Sequence, residues 1–253
     1  MDAALDHRDH GEATQGARAP AGASSKKRTQ RRQRIAQERT DFASYLLAMM
    51  VRASTRLPGW QMTALTHLSK TESASVALLK PAISVVSEDR LRKLMTKHIQ
   101  DEERHARVFE ERLMVWRELC GDKNRAPLPP PAGGAGRMNL MQLMALFEIG
   151  EMRGFQGVTA YRKAFTDDPE TVAVMDSVVR DEHFHCTYVH LQMERWKEQG
   201  FAKEVAAARK HALKQDREAF YRQIGSFIAM LPSLLLAELT RPFRRQPKIG
   251  ASS

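Results

Sequence analysis

The sequence predicts an all-α protein in which two antiparallel helical hairpins are joined by a long crossover, with an extra helix at each end. Leu and Ala dominate the apolar residues, with comparatively few Val and Ile, and this mix favours helices over strands. Apolar residues recur at helical spacing over long stretches, and no stretch shows the alternation typical of a strand. One segment rich in Pro and Gly, residues 121–137, interrupts the helical pattern and provides the crossover.

The composition changes along the chain and predicts one folded domain between two basic ends. Residues 1–36 are poor in large apolar side chains and cannot bury enough surface, so we expect a disordered basic arm there. The helical domain is predicted over residues 37–240, with residues 60–200 as its core, and a basic tail follows over residues 241–253. A chain of 253 residues is long enough for this core to be sizeable.

Helical periodicity and breaker residues define the elements of the domain in order. The predicted helices cover residues 41–57, 60–86, 87–119, 139–165, 166–199 and 201–230. The second and third helices are joined by a very short turn, as are the fourth and fifth, and short turns force antiparallel neighbours. Pro232 is expected to end the last helix before a short apolar stretch at residues 234–239.

The formal net charge of +10 raises the question of a polyanionic partner. The basic clusters lie near the two ends of the chain, without the interleaved aromatic residues on which nucleic acid bases stack, so nucleic acid is not an expected partner. Cys120 and Cys186 form no CxxC pattern, which fits a reducing compartment. No secretory leader or long uninterrupted apolar run is evident, so we expect a cytoplasmic protein.

The apolar segment at residues 227–236, which a cluster of arginines follows, has two interpretations. An apolar helix with a basic flank can make peripheral contact with an anionic membrane. Alternatively, the segment is a helix that packs across the other helices. Pro232 and Glu238 interrupt the apolar run, so the packed helix is favoured over membrane contact.

Two copies of an Asp-Glu-x-x-His motif occur, one in the predicted third helix and one in the fifth. They read Asp101-Glu102-x-x-His105 and Asp181-Glu182-x-x-His185. A spacing of three residues puts the carboxylate and the imidazole on one face of a helix, one turn apart, so both can bind the same cation. Helical bundles that hold two metal ions combine two such helices with one glutamate from each of two others.

The two partner glutamates are predicted from their depth along the neighbouring helices. Glu72 is the only acidic residue inside the second helix, and it precedes the hairpin turn by nearly the distance at which Glu102 follows it. The fourth helix offers Glu148 and Glu151. Glu151 matches the depth of Glu182, whereas Glu148 lies nearly one turn too far. We therefore expect Glu151 as a ligand, with Glu148 as the alternative or as a carboxylate just outside the ligand set.

The two half-sites resemble the doubled signature of the ferritin-like di-iron carboxylate superfamily, which includes rubrerythrins, the ribonucleotide reductase small subunit and di-iron oxygenases. The resemblance covers residues 60–200 and implies a ferritin-like four-helix bundle that binds two iron ions, or iron and manganese. The implied metal ligands are Glu72, Glu102, His105, Glu151, Glu182 and His185. The resemblance also implies that Asp101 and Asp181 accept hydrogen bonds from ligand histidines and orient them.

The expected function is the activation of O2 by the two metal ions, in an oxidase or oxygenase that acts on a small organic substrate. A set of carboxylate and imidazole ligands suits iron or manganese better than zinc or copper. Two alternatives stay open: an iron-handling ferroxidase without an organic substrate, and a non-catalytic helical protein that the metals stabilise. An electron-donor protein and a second copy of the chain are candidate partners.

Two further residues near the motifs have competing interpretations. His98 lies one turn before Glu102 and could be a seventh ligand, but a packed or exposed histidine is the favoured interpretation. Tyr188 lies one turn after His185 and could bond to the site, but ordinary core packing is favoured. No catalytic residue beyond the metal ligands is predicted.

Overall fold

The computed structural model describes residues 42–122, 126, 128–129 and 138–240. The predicted basic arm at residues 1–36, the predicted tail at residues 241–253 and most of the crossover at residues 121–137 lie outside the described residues. The predictions for those segments therefore stay predictions.

Six α-helices and no strand make up the part of the chain that the structure describes, which confirms the all-α prediction. The helices are α1 (Phe42–Ser54), α2 (Trp60–Ile83), α3 (Asp89–Leu119), α4 (Leu140–Arg162), α5 (Pro169–Glu198) and α6 (Ala202–Thr240). Each predicted helical stretch overlaps one of them. The predicted boundaries differ from the observed ones by a few residues, except at the end of α6.

Polar residues fix where the helices of the second hairpin begin. α4 starts with a capping box, in which the Asn139 side chain accepts from the backbone N–H of Gln142 and the Gln142 side chain accepts in return. α5 starts at Pro169 in the first turn, and the Asp168 side chain accepts from the backbone N–H of Thr171. These local signals are the ones that sequence reasoning uses, so the starts of both helices are well predicted.

The helices pair in the order that the short turns require. α2 packs along α3, and α4 packs along α5; residues 84–88 connect the first pair and residues 163–168 the second. α3 contacts α5, α6 packs along α4, and α1 contacts α4 and α6. The chain therefore forms two helical hairpins that touch each other, with α1 and α6 added against the second hairpin.

Two apolar clusters fill the interior, one on each side of a layer of buried polar residues. The first cluster includes Leu79, Leu91, Met95, Leu143, Met144, Val189 and Met193. The second cluster includes Leu65, Leu68, Phe109, Leu113, Val158, Met175 and Val178. On each helix from α2 to α5, a buried glutamate lies between residues of the first cluster and residues of the second. The apolar clusters therefore shield the glutamates from water along the helix axes.

The C-terminal part of α6 differs from the prediction in two ways. Pro232 lies inside the helix rather than at its end, and strong helix formers on both sides offset its cost. The expected packing across the other helices is wrong, because no described side chain of α6 beyond Ala212 is buried. The physical reason is length: α6 has 39 residues, whereas α4, along which it packs, has 23.

A buried charge network joins α3 to the start of α5. The Arg112 guanidinium donates to both Asp168 carboxylate oxygens, at 2.9 and 3.0 Å, and to the Thr171 hydroxyl at 2.9 Å. The Trp116 indole N–H donates to Asp168 at 2.9 Å. Burial by itself would raise the pKa of Asp168, but the hydrogen bonds from Thr171, Trp116 and Arg112 outweigh it and lower the pKa. The network holds the second hairpin against the first.

We expect Arg112→Met to lower the free energy of unfolding by about 3–5 kcal/mol, because it leaves the buried Asp168 carboxylate without its charge partner. Urea denaturation followed by circular dichroism measures the change. Arg107→Met is the matched control on the same helix. Arg107 is exposed and lies 4.0 Å from Glu111, so its loss should cost less than about 0.5 kcal/mol. Equal costs for the two variants would contradict the assigned role of Arg112.

Candidate metal centre

Seven buried side chains meet between the two apolar clusters, and we call them the polar layer. They are Glu72 on α2, His98, Glu102 and His105 on α3, Glu151 on α4, and Glu182 and His185 on α5. Each of these residues is no more than 5% exposed. Each of the four helices thus contributes one glutamate at the same depth, as the matched distances from the hairpin turns predict. All six residues predicted as metal ligands are brought together.

The polar layer divides into two groups that could each hold one metal ion. In each group, one ligand atom from every member lies within 4.8 Å of the others. One group consists of His98, Glu102, Glu151 and His185, and the other of Glu72, Glu102, His105 and Glu182. Glu102 belongs to both groups. A carboxylate has two oxygens with several lone pairs, so one glutamate can bind two neighbouring cations.

The distances within the first group bring two imidazoles against two carboxylates. His185 Nδ1 lies 3.2 Å from Glu102 Oε1 and 3.5 Å from Glu151 Oε2. His98 Nε2 lies 3.4 Å from Glu102 Oε1 and 3.3 Å from Glu151 Oε1. The two rings stack with their centroids 3.7 Å apart. Both imidazoles therefore direct one nitrogen at the same pair of carboxylates.

In the second group, one imidazole faces three carboxylates. His105 Nδ1 lies 3.6 Å from Glu182 Oε1, 3.7 Å from Glu102 Oε1 and 3.9 Å from Glu72 Oε2. α4 passes close to this group at Gly154, where an added Cβ would lie 3.4 Å from Glu182 Oε2. The backbone of α4 therefore passes within van der Waals reach of this carboxylate.

Four atoms of the polar layer are buried and have no hydrogen-bond partner: His98 Nε2, Glu102 Oε1, His105 Nδ1 and His185 Nδ1. An unsatisfied buried polar atom costs roughly 1–3 kcal/mol, so such atoms are rare in folded proteins. All four are atoms that can bind a metal, and they face the centre of the layer. A pair of cations there would satisfy all four, so the residues present fit a dinuclear metal centre.

The electrostatics of the layer also favour cations. Burial, followed by the negative charges of Glu102 and Glu182, raises the pKa of Glu72 well above its ordinary value. Burial, followed by the charges of Glu151 and Glu102, does the same to the pKa of Glu182. Four glutamates in a space that excludes water repel one another strongly, and divalent cations offset that repulsion.

Each aspartate of the two motifs contacts a histidine of the opposite hairpin. Asp101 Oδ2 lies 3.3 Å from His185 Nε2, and Asp181 Oδ2 lies 3.3 Å from His105 Nε2. These are the ring nitrogens that point away from the centre of the layer. An acceptor at this position fixes the tautomer and the orientation of the ring. The contact that the family resemblance implies for Asp101 and Asp181 is therefore present, and it crosses between the hairpins.

Two basic side chains bind the aspartates on the side that faces away from the polar layer. The Lys97 ammonium lies 2.5 Å from Asp101 Oδ2, and the Arg104 guanidinium donates to Asp181 at 2.6 Å and to Asp101 at 3.2 Å. Burial would raise the pKa of Asp101, but His185 and Lys97 outweigh it and lower the pKa to about 2. Asp101 is therefore ionised at neutral pH and can accept a hydrogen bond from the histidine.

Glu148, the alternative to Glu151, lies outside the polar layer. Its carboxylate accepts from His190 at 2.7 Å and from two nitrogens of Arg209 at 2.6 Å each. Burial would raise the pKa of Glu148, but these two partners outweigh it and lower the pKa. Glu148 therefore joins α4 to α5 and α6, and Glu151 is the residue of α4 that belongs to the first group. The comparison of distances from the hairpin turn chose Glu151, and Glu151 is the glutamate of α4 that lies in the polar layer.

Sequence reasoning favoured ordinary packing for His98 and Tyr188, and the structure packs both residues but also brings His98 into the first group. His98 is fully buried in the first group, and its Nδ1 lies 2.7 Å from the Tyr188 hydroxyl. The available signal was spacing: His98 precedes Glu102 by four residues and shares its helix face. That signal is weak because many buried histidines share a helix face with a glutamate. Only the tertiary contact with Glu151 distinguishes a histidine of a possible metal site from one that is merely packed.

Comparisons of the chain with protein-family models, with curated protein sequences and with solved structures gave no significant match. The candidate centre therefore rests on the geometry and chemistry of the chain itself.

We expect the purified protein to carry about two metal ions per chain. Glu102→Ala should remove nearly all of this metal, because Glu102 is the one residue that both groups share. Elemental analysis measures the metal content, and circular dichroism checks that the variant folds. Glu103→Ala is the matched control, since Glu103 is exposed and pairs with Lys80 at 2.5 Å. Full metal content in a folded Glu102→Ala variant would show that the assignment is wrong.

We expect Glu151→Gln and Glu148→Gln to differ in the same measurement. Glu151→Gln should weaken the binding of one ion by at least about tenfold, because it removes a charged ligand from one group only. Glu148→Gln should leave the metal content unchanged, because Glu148 binds His190 and Arg209 instead. Metal titration of the two variants tests this pair, and the reverse order of affinities would restore Glu148 as the ligand.

Proposed function

We propose that this protein is a dinuclear iron oxidoreductase that activates O2 and oxidises a small organic substrate. The observation that carries the proposal is the pair of buried ligand groups that share Glu102, with four metal-binding atoms that have no other partner. A single group would fit many metals and many roles. Two groups that share a carboxylate fit a reaction in which two neighbouring ions act on one O2 molecule.

The donor set favours iron. One group offers two carboxylates and two imidazoles, and the other offers three carboxylates and one imidazole, with no thiolate in either. Such oxygen-rich sites suit iron or manganese better than zinc or copper. When bound, two reduced iron ions would supply two electrons, which together with two electrons from the substrate and two protons from solvent would reduce O2, so that one oxygen atom would enter the substrate and the other would leave as water.

The protein's own residues orient the ligands and keep water away. Asp101 and Asp181 accept a hydrogen bond at the Nε2 atoms of His185 and His105, so these histidines offer Nδ1 to the metals. For His98 to offer Nε2, its Nδ1 must carry the proton and donate it to the Tyr188 oxygen. The two apolar clusters exclude water on both sides of the layer, which protects a strong oxidant from side reactions.

We also propose that α2 to α5 form a ferritin-like four-helix bundle. The pairing of α2 with α3 and of α4 with α5 supports this, as does the contact between α3 and α5. The ligand pattern supports it further, since a glutamate from each of two helices meets a Glu-x-x-His pair from each of the other two. A protein that donates electrons to the site and a cytoplasmic location stay expectations.

Single-turnover kinetics test the proposed function. The Fe(II)-loaded protein is mixed with O2, with and without a panel of small aromatic and aliphatic substrates, and both absorbance and products are followed. We expect rapid oxidation and an oxygenated product from the wild type and from Glu103→Ala. Growth of an iron mineral without an organic product would instead indicate a ferroxidase. Bound iron that does not react with O2 would indicate a structural metal centre.

A further inference from the structure

The C-terminal segment of α6, residues 223–240, is an apolar helix on which Ile224, Phe227, Met230 and Leu234 are half-buried, while the leucines on the rest of its surface are exposed. Leu235 is 68% exposed, Leu236 61% and Leu239 75%. α6 runs in the same direction as α4, as the successive contacts of Glu148 with Arg209 and of Arg153 with Asp216 indicate. α4 ends at Arg162, so the last turns of the longer α6 extend past it.

The composition of the C-terminal segment indicates an apolar environment rather than water. Between Arg222 and Arg241 the sequence has no lysine or arginine, and its single acidic residue is Glu238. In the described part of the chain, the stretch Ala202–Leu236 is the one helix whose length and composition would allow it to cross a membrane, and these are the only two criteria applied. A continuous exposed apolar surface is uncommon on a soluble protein, so we expect a partner that covers these leucines.

The segment has five polar residues, Gln223, Ser226, Ser233, Glu238 and Thr240, and the three with hydroxyl groups lie along one side. Ser226, Ser233 and Thr240 are seven residues apart, which places them on one narrow stripe of the helix. The Ser226 hydroxyl donates to the Arg222 carbonyl at 3.1 Å, and the Thr240 hydroxyl donates to the Leu236 carbonyl at 2.9 Å. The Ser226 and Thr240 hydroxyls are therefore satisfied within the helix, so these two groups can enter an apolar medium at little cost.

Basic residues flank the segment at both ends. Arg217 and Arg222 precede it on α6 and are exposed, and the sequence places Arg241, Arg244 and Arg245 directly after it. A second copy of the segment, in either orientation, would bring arginines against arginines and be opposed by their repulsion. An anionic bilayer surface attracts both flanks at once. The charges of the two flanks therefore favour lipid over a second copy of the chain as the partner of the C-terminal segment.

We propose that the C-terminal segment binds in the plane of an anionic lipid bilayer, with its leucines in the acyl region and its arginine flanks at the headgroups. A helix that crossed the bilayer would move one basic flank to the opposite surface, whereas the in-plane position keeps both flanks on the same anionic leaflet. The inference is independent of the metal centre, because it rests on residues that the polar layer does not contain.

Vesicle flotation with the full-length protein tests the inference. Phosphatidylcholine vesicles with and without phosphatidylglycerol are compared for the wild type, for Leu235→Glu/Leu236→Glu and for Leu119→Glu/Leu213→Glu. The second double variant is the matched control: Leu119 and Leu213 are 40% and 53% exposed outside the segment. Both double variants lower the net charge from +10 to +8, so they change general electrostatic attraction equally.

We expect the wild type and the control to float with anionic vesicles and not with neutral ones. Leu235→Glu/Leu236→Glu should bind anionic vesicles at least about tenfold more weakly, because each buried leucine contributes about tenfold or more to partitioning. Equal binding by all three proteins would overturn the inference and assign any attraction to other basic residues. If the wild type does not bind vesicles but forms a dimer, and Leu235→Glu/Leu236→Glu does not, the inference is wrong and the segment binds a second copy of the chain instead. Circular dichroism and metal content verify that the variants fold.

Discussion

Four carboxylates buried at one depth, in a space that two apolar clusters close on both sides, are the constraint on which the described structure depends. Without compensation, their mutual repulsion and lost hydration would oppose folding of the helices that hold them. Three imidazoles direct a ring nitrogen at these carboxylates, and the four unpartnered atoms mark where positive charge is needed. The chemistry proposed for the site and the stability of the fold thus rest on the same interaction.

The compensation extends outward in ordered steps. Asp101 and Asp181 bind the outer nitrogens of the histidines, and Lys97 and Arg104 bind the aspartates at the edge of the protein. Because each aspartate contacts the histidine of the opposite hairpin, the same contacts that orient the ligands also join the hairpins. The Arg112 network at one end of the helices has a related effect, since it holds the start of α5 against α3.

α6 shows two different environments along one helix. Its first half packs on α4 and is joined to it by the charged contact between Arg209 and Glu148. Its second half extends beyond the end of α4, and there apolar side chains face outward. The metal centre and the C-terminal segment therefore make separate physical demands on the chain: one needs cations inside the protein, and the other needs an apolar medium outside it.

The sequence by itself determined the helical class, the two short-turn hairpins and the six predicted ligands. Helical periodicity, the Asp168-Pro169 start and the Glu-x-x-His spacing act within one or two turns of helix, so they can be recognised without the fold. Depth along a hairpin follows from the constant rise per residue, which is why Glu151 could be separated from Glu148. These are local or one-dimensional properties of the chain.

Only the tertiary structure decided the place of His98, the crossed pairing of the aspartates and the exposure of the C-terminal segment. His98 belongs to the polar layer because Glu151, on another helix, approaches its Nε2 atom. The segment at residues 223–240 is exposed because α4 ends before α6 does, whereas its apolar composition alone fits a packed helix equally well. Each of these features depends on which helices lie beside one another, and composition and spacing along one chain do not specify that.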